Sequence, residues 1–160
     1  MLLHEDRLFP SEPGARKIAK ALYARVKTLP IVSPHGHTQA AWFAKNEPFP
    51  DPAKLFVQPD HYVYRMLLSQ GIPMEDLEIG EPEMKDARKV WRIFAKNYYL
   101  FRGTPTRMWL NFAFQELFGL KERLSEKTAD LYFDTISEKL RSSDILAHRR
   151  AHPGICGLGL

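Results

Sequence analysis

The sequence predicts a mostly α-helical chain with one short strand near its start. Two patterns carry that prediction. Apolar residues recur at three- and four-residue spacing through most of the chain, in stretches punctuated by glycine and proline. The run Leu29-Pro30-Ile31-Val32-Ser33-Pro34 breaks that rhythm: it is short, apolar, β-branched and bracketed by prolines, which suits a brief buried strand. A composition of 44% hydrophobic and 26% charged residues without low-complexity tracts is that of a chain able to bury a core.

Residues 1–30 read as an arm followed by a helix. Pro10, Pro13 and Gly14 keep the first fourteen residues irregular. Ile18, Leu22, Val26 and Leu29 then mark an amphipathic helix over 15–28. Residues 31–37 form the predicted strand, which delivers His35-Gly36-His37 at its C-terminal end.

Residues 38–142 form a helical region. A short helix runs through Ala44, a proline-rich loop contains Pro48, Pro50 and Pro52, and a helix extends from about Asp60 to Gln70 with Gly71 at its C-cap. The stretch 82–98 is a helix with Val90, Trp91, Phe94 and Ala95 inward and Arg88, Lys89, Arg92 and Lys96 on a solvated face. Gly103 breaks the chain, Thr104-Pro105 starts a helix over 105–118, and Gly119 stops it. Ser125 caps a last helix, 126–141, whose inward positions are Ala129, Tyr132 or Phe133, Ile136 and Leu140. The aromatics Tyr98, Tyr99, Phe101, Trp109, Phe112, Phe114 and Phe118 lie close together in sequence and are expected in the core. Residues 143–160 change character, from basic DILAHRRAHP to GICGLGL, and suggest a truncated or altered end.

Several function classes lose support from bulk properties. A net charge of +4 with basic and acidic residues interspersed gives nucleic-acid binding little electrostatic basis. No apolar stretch approaches the ~18 residues of a membrane span, and MLLHEDRLFP lacks the pattern of a signal peptide. The single cysteine, Cys156, excludes an intrachain disulfide, so a cytoplasmic location is the default expectation. No repeat of solenoid period and no sustained heptad is present.

His35 and His37 are the sharpest chemical feature. Side chains at i and i+2 of a strand point to one face and can bind one metal ion together. Two imidazoles make an incomplete site, since a catalytic zinc-like ion takes about three protein ligands. The same pair also reads as two ordinary surface histidines. His61 and Tyr62, in Gln58-Pro59-Asp60-His61-Tyr62, form the second candidate: Asp60 can cap the helix, and an imidazole and a phenol in its first turn can hydrogen-bond sugar hydroxyls or move protons. An ordinary helix start with Tyr62 partly buried fits the segment as well. Arg65, Arg102 and Arg107 can each fork onto a carboxylate, without a distinctive setting. His148 and His152 would share a helix face, but Pro153 and the glycines after it oppose a helix, and Cys156 has no nucleophile or zinc-knuckle signature.

Taken in order, the apolar helix, LPIVSPHGH, AAWFAKNEPFPDPAKLF and DHYVYRMLLSQGI resemble the start of glucuronate (uronate) isomerases of the amidohydrolase superfamily. That family carries a His-x-His at the end of its first barrel strand, an N-x-P-F segment, and an Asp-His-Tyr motif before an arginine-containing helix and a glycine turn. Here these are His35 and His37, Asn46 to Phe49, Asp60 to Tyr62, Arg65, and Gly71-Ile72. TPTRMWLNFAFQELFGLKERLSEKTAD extends the likeness, which covers roughly residues 10–140. His-x-His alone points only to the superfamily; the ordered combination with DHY is more specific.

The resemblance implies an α/β fold, the N-terminal part of a (β/α)8 barrel with a helical insertion. It implies aldose–ketose isomerisation of hexuronates, glucuronate to fructuronate or galacturonate to tagaturonate, by proton transfer between adjacent carbons. His35 and His37 would hold a divalent metal, zinc by the resemblance. His61 and Tyr62 would bind the sugar, with Tyr62 also as a proton relay. It leaves a homo-oligomer open. The family's later aspartate, arginine and tryptophan have no counterpart here, and 160 residues fall short of the roughly 250 of a complete barrel, so the chain alone is expected to be inactive. Two other readings compete: a metal-dependent hydrolase fragment of the same superfamily, and a non-catalytic helical interaction module with incidental histidines.

Overall fold

The computed structural model describes residues 3–30, 51–80 and 85–141. They contain six α-helices: α1 (Pro13–Val26), α2 (Pro52–Phe56), α3 (His61–Leu68), α4 (Ala87–Lys96), α5 (Pro105–Phe112) and α6 (Ala129–Arg141). Among the described residues there is no strand, so the mostly helical prediction holds there. The predicted strand 31–37, the short helix through Ala44 and the tail 143–160 lie outside the described residues. A (β/α)8 barrel is not shown by this segment.

α1 starts two residues earlier than its periodicity predicts. Pro13 belongs to the helix rather than to an irregular arm, because a proline has no N–H to lose at the first helical position. The Glu12 carboxylate accepts from Gly14 N at 2.7 Å and from Ala15 N, and these bonds hold its pKa below the ordinary carboxylate range. The preceding arm folds back on the helix. Arg16 donates to the Pro10 and Ser11 carbonyls, Lys20 and Arg16 pair with Asp6, and Phe9 meets Tyr23 edge-on at 5.8 Å.

The apolar positions of α1 do not enter a core. None of its residues is buried, and Ile18, Leu22 and Val26 are 64%, 63% and 53% exposed. The helix is amphipathic in sequence, but among the described residues nothing covers its apolar side.

The core lies among α2 to α6. Ala53, Phe56, Val57, Val63, Leu67, Val90, Trp91, Phe94, Phe114, Tyr132 and Ile136 are all buried in one cluster. α4 and α6 run antiparallel, as their side-chain pairs show: Arg88 reaches Asp134 and Asp130, Arg92 reaches Asp130, and Lys96 reaches Glu126. The polar face of α4, predicted to be merely solvated, is therefore a ladder of ion pairs; Lys89 adds a bond to Asp76 at 2.9 Å.

Other elements differ from their predicted form for local reasons. Pro52, predicted in a loop, opens α2, with the Asp51 carboxylate capping Lys54 N at 2.9 Å. α4 begins at Ala87 behind the Asp86 cap. The helix predicted over 105–118 is α-helical only to Phe112; a π turn over Ala113–Leu117 follows, closed by Phe118 N to the Ala113 carbonyl at 3.2 Å. Gly119 then takes a φ of 72°, a backbone region that favours glycine. Ser125 caps as predicted, but first a 3-10 turn, Glu126–Thr128, through reciprocal bonds with Thr128. Of the clustered aromatics, Tyr98, Phe101, Phe114 and Phe118 are core, whereas Tyr99, Trp109 and Phe112 are exposed. Tyr132 is the buried member of the Tyr132/Phe133 alternative.

Candidate functional site

α2 and α3 are joined by Val57 to Asp60, and this link sets where α3 begins. Val57 is fully buried, and Pro59 fixes its own φ. Asp60 takes an extended conformation and its Oδ1 accepts from Tyr62 N at 2.8 Å and Val63 N at 3.4 Å. These bonds satisfy donors that the first turn leaves open.

Val63 and Leu67, four residues apart, anchor α3 in the core. At about 100° per residue, His61, Tyr62 and Arg65 fall together on the opposite side. The His61 and Tyr62 rings lie 4.1 Å apart between centroids, tilted by 34°. Tyr62 is 67% exposed rather than partly buried, and Arg65 is exposed too. The structure thus brings an imidazole, a phenol and a guanidinium onto one accessible arc, a set that can donate to and accept from hydroxyls and pair with a carboxylate.

The other candidate arginines separate. Arg107 is occupied: its guanidinium donates to the Tyr98 carbonyl at 2.9 Å and lies 4.5 Å from the centre of the Tyr98 ring. These contacts tie α5 to the 3-10 turn Tyr98–Phe101 and give the Arg107 guanidinium partners within the chain. Arg102 is exposed at the end of the 3-10 turn Tyr98–Phe101. His35, His37, His148, His152 and Cys156 lie outside the described residues. Among the described residues no group of three or more His, Cys, Asp or Glu is placed to hold a metal ion.

Two phenols that the sequence placed among core candidates rather than site candidates are perturbed. Burial pushes the Tyr98 hydroxyl well above its ordinary range, with the Arg107 charge opposing; it donates to Asn111 Oδ1 at 2.9 Å. Tyr132 is pushed up to about 12 by burial and by the Glu122 charge, and donates to the Glu122 carbonyl. Both are satisfied inside the core, which marks them as structural.

A sequence model of the glucuronate isomerase family matches residues 12–150. The chain belongs to the glucuronate isomerase family. Its relatives include the uronate isomerases of Brucella suis biovar 1, 56% identical over 144 residues, and of Phenylobacterium zucineum, 56% identical over 143. Each comparison covers 88% of this chain, but only 31% and 30% of those proteins, so the chain spans about a third of the length of the curated relatives it matches. The crystal structure of glucuronate isomerase from Caulobacter crescentus superposes with a TM-score of 0.83 at 51% identity, covering 88% of this chain and 30% of that one. The uronate isomerase of Thermotoga maritima follows at 0.77 and 29%, covering 92% and 32%. The helical arrangement around α3 is therefore that of glucuronate isomerases. Among the described residues no helix is long and apolar enough to cross a membrane.

Proposed function

We propose that this chain supplies part of the substrate site of a hexuronate aldose–ketose isomerase, converting glucuronate to fructuronate or galacturonate to tagaturonate. The observation that carries the reading is the glucuronate isomerase match across residues 12–150, which spans the segment where Asp60 presents His61 and Tyr62 together on an open helix arc.

The chemistry moves a proton between adjacent carbons through an enediol. Tyr62 suits hydrogen bonding to the C1 or C2 oxygen and proton relay there, because its phenol is accessible and both donates and accepts. His61, stacked on it, binds a neighbouring sugar hydroxyl. Arg65, on the same arc, pairs with the C6 carboxylate that distinguishes a uronate from a neutral hexose.

In the same reading His35 and His37 hold a divalent metal, zinc, as two of its ligands. Their donor chemistry fits in part: two imidazoles at i and i+2 make half of a four-coordinate ion's shell, and no described cluster completes it. When bound, such an ion polarises the oxygens on C1 and C2. The segment would belong to a (β/α)8 barrel of the amidohydrolase superfamily, working in the cytoplasm. The remaining ligands and barrel strands would come from polypeptide corresponding to the other two thirds of the relatives.

The test replaces the matching segment of the Brucella suis uronate isomerase with residues 12–141 of this chain and assays the chimera against glucuronate and galacturonate. Ketose formation supports the reading. A folded chimera that turns over neither uronate but hydrolyses a lactone moves the assignment to a metal-dependent hydrolase. One that does neither while the chain captures a protein ligand favours an interaction module.

A further inference from the structure

We propose that Gln58 and Glu78 form a positioning relay that fixes the Asp60–His61–Tyr62 turn against the start of α4. The proposal rests on the isomerase reading for its catalytic consequence, though not for its geometry.

Glu78 is the one non-glycine residue with positive φ among the described residues, at 51°. A residue with a Cβ seldom takes this left-handed conformation without outside support. The support is visible. Its carboxylate accepts from two successive backbone amides, Lys85 N and Asp86 N, the second at 3.1 Å. Asp86 is itself the N-cap of α4. Glu78 is therefore tied directly to the beginning of a helix whose Val90, Trp91, Phe94 and Ala95 are buried in the core.

Held this way, Glu78 turns its own carbonyl toward the α2–α3 link, where it accepts from Gln58 Nε2 at 3.1 Å. Gln58 lies three residues before His61. The link is otherwise held by local contacts: Val57 is buried, the Val57 and Gln58 amides donate to the Ala53 carbonyl, each at 3.0 Å, and Asp60 caps α3. The Gln58 amide is the side-chain bond that connects it to a distant part of the chain, twenty residues away in sequence. The chain of contacts runs from α4 through Glu78 and Gln58 to the turn that presents His61 and Tyr62. Their side-chain bonds go to each other and to the start of α4 rather than to His61, Tyr62 or Arg65, so both act through that turn.

The test has two arms. In the full 160-residue chain, amide exchange is followed in Gln58→Leu and Glu78→Ala. The relay predicts that Tyr62 and Val63, the amides bonded by Asp60, exchange about fivefold faster while Leu67 and the amides of α4 keep their protection. In the Brucella suis chimera the same variants should raise KM for glucuronate about fivefold and lower kcat, at a nearly constant melting temperature. Glu78→Gln, which keeps an acceptor oxygen, should restore KM to within about twofold of the parent. Unchanged Tyr62 exchange overturns the relay, as does faster exchange spread evenly over α3 and α4. An active chimera whose KM ignores both variants also overturns it. If the parent chimera is inactive, the isomerase reading fails and the exchange arm alone decides the relay.

Discussion

The indole nitrogen of Trp91 donates to the Ala129 carbonyl at 3.0 Å, inside the core and across 38 residues of sequence. That bond fixes the register of α4 on α6, because it joins the centre of one helix to the first residue of the other. The ion-pair ladder along the same interface is exposed and contributes less. Trp91→Phe is expected to cost about 1–2 kcal/mol through the lost bond, and Trp91→Ala about 3–5 kcal/mol with the cavity added. Urea unfolding of both variants checks this; equal losses would place the indole N–H outside the energetics.

The ladder sets a dependence on acid. Arg92, and after it Arg88, hydrogen-bond Asp130 and hold its pKa below the ordinary value. A carboxylate lowered on folding contributes stability above its unfolded pKa of about 3.9, and that contribution disappears as pH falls through the lower folded value. Asp130→Asn should therefore flatten the loss of stability below about pH 4 and weaken its dependence on salt. Denaturant midpoints at several pH values, with and without salt, measure both.

At the alkaline end the sign reverses in its consequence. Tyr132 is raised to about 12, so the stability contributed by its neutral form is full below the unfolded value of about 10 and is lost as pH rises from there to about 12. Tyr132→Phe removes that alkaline slope and the bond to the Glu122 carbonyl, at a cost of about 1 kcal/mol near neutrality. Absorbance titration of the native chain beside the variant isolates the late-ionising phenol.

On α3, Asp60→Ala removes the cap and should cost about 1 kcal/mol. In the chimera, Tyr62→Phe is expected to lower kcat by about 10²-fold if its hydroxyl relays a proton, while Arg65→Lys should act mainly on KM. A Tyr62→Phe enzyme with parental kcat would confine Tyr62 to binding.

The exposed stripe of Ile18, Leu22 and Val26 predicts self-association of the isolated chain. The double variant Ile18→Glu/Leu22→Glu should shift it toward monomer without changing its melting midpoint, since neither side chain is buried. Light scattering after size exclusion reads the first effect and circular dichroism the second. A wild-type chain that is already a monodisperse monomer removes the basis for the expectation.

Much of the local structure was legible. Thr104-Pro105 marked the start of α5, Gly71 and Gly119 marked stops, and Val90, Trp91, Phe94 and Ala95 were inward as spaced. Those signals are local: a cap bonds amides two or three residues away, and a helix face repeats within one turn. The start of α2 was legible too, in Asp51-Pro52, but three prolines so close together read as loop. Asp60, His61 and Tyr62 could be found because their relation is that of neighbours in one helical turn.

Relations between distant residues were not legible. Spacing alone could not show that Arg88 and Arg92 meet Asp130, or that Arg107 is occupied by Tyr98 while Arg65 stays open. Nor could it show that Gln58 reaches Glu78. Amphipathicity likewise promised a buried face on both α1 and α4, and among the described residues α4 has one and α1 does not. By itself the sequence determined most of the helical segments, though not α2, many of their caps, and the family resemblance, because each depends on short-range pattern or residue identity. Tertiary structure decided which apolar faces are covered and which charges are paired. Burial and pairing belong to two surfaces at once, and a pattern within one helix describes only its own.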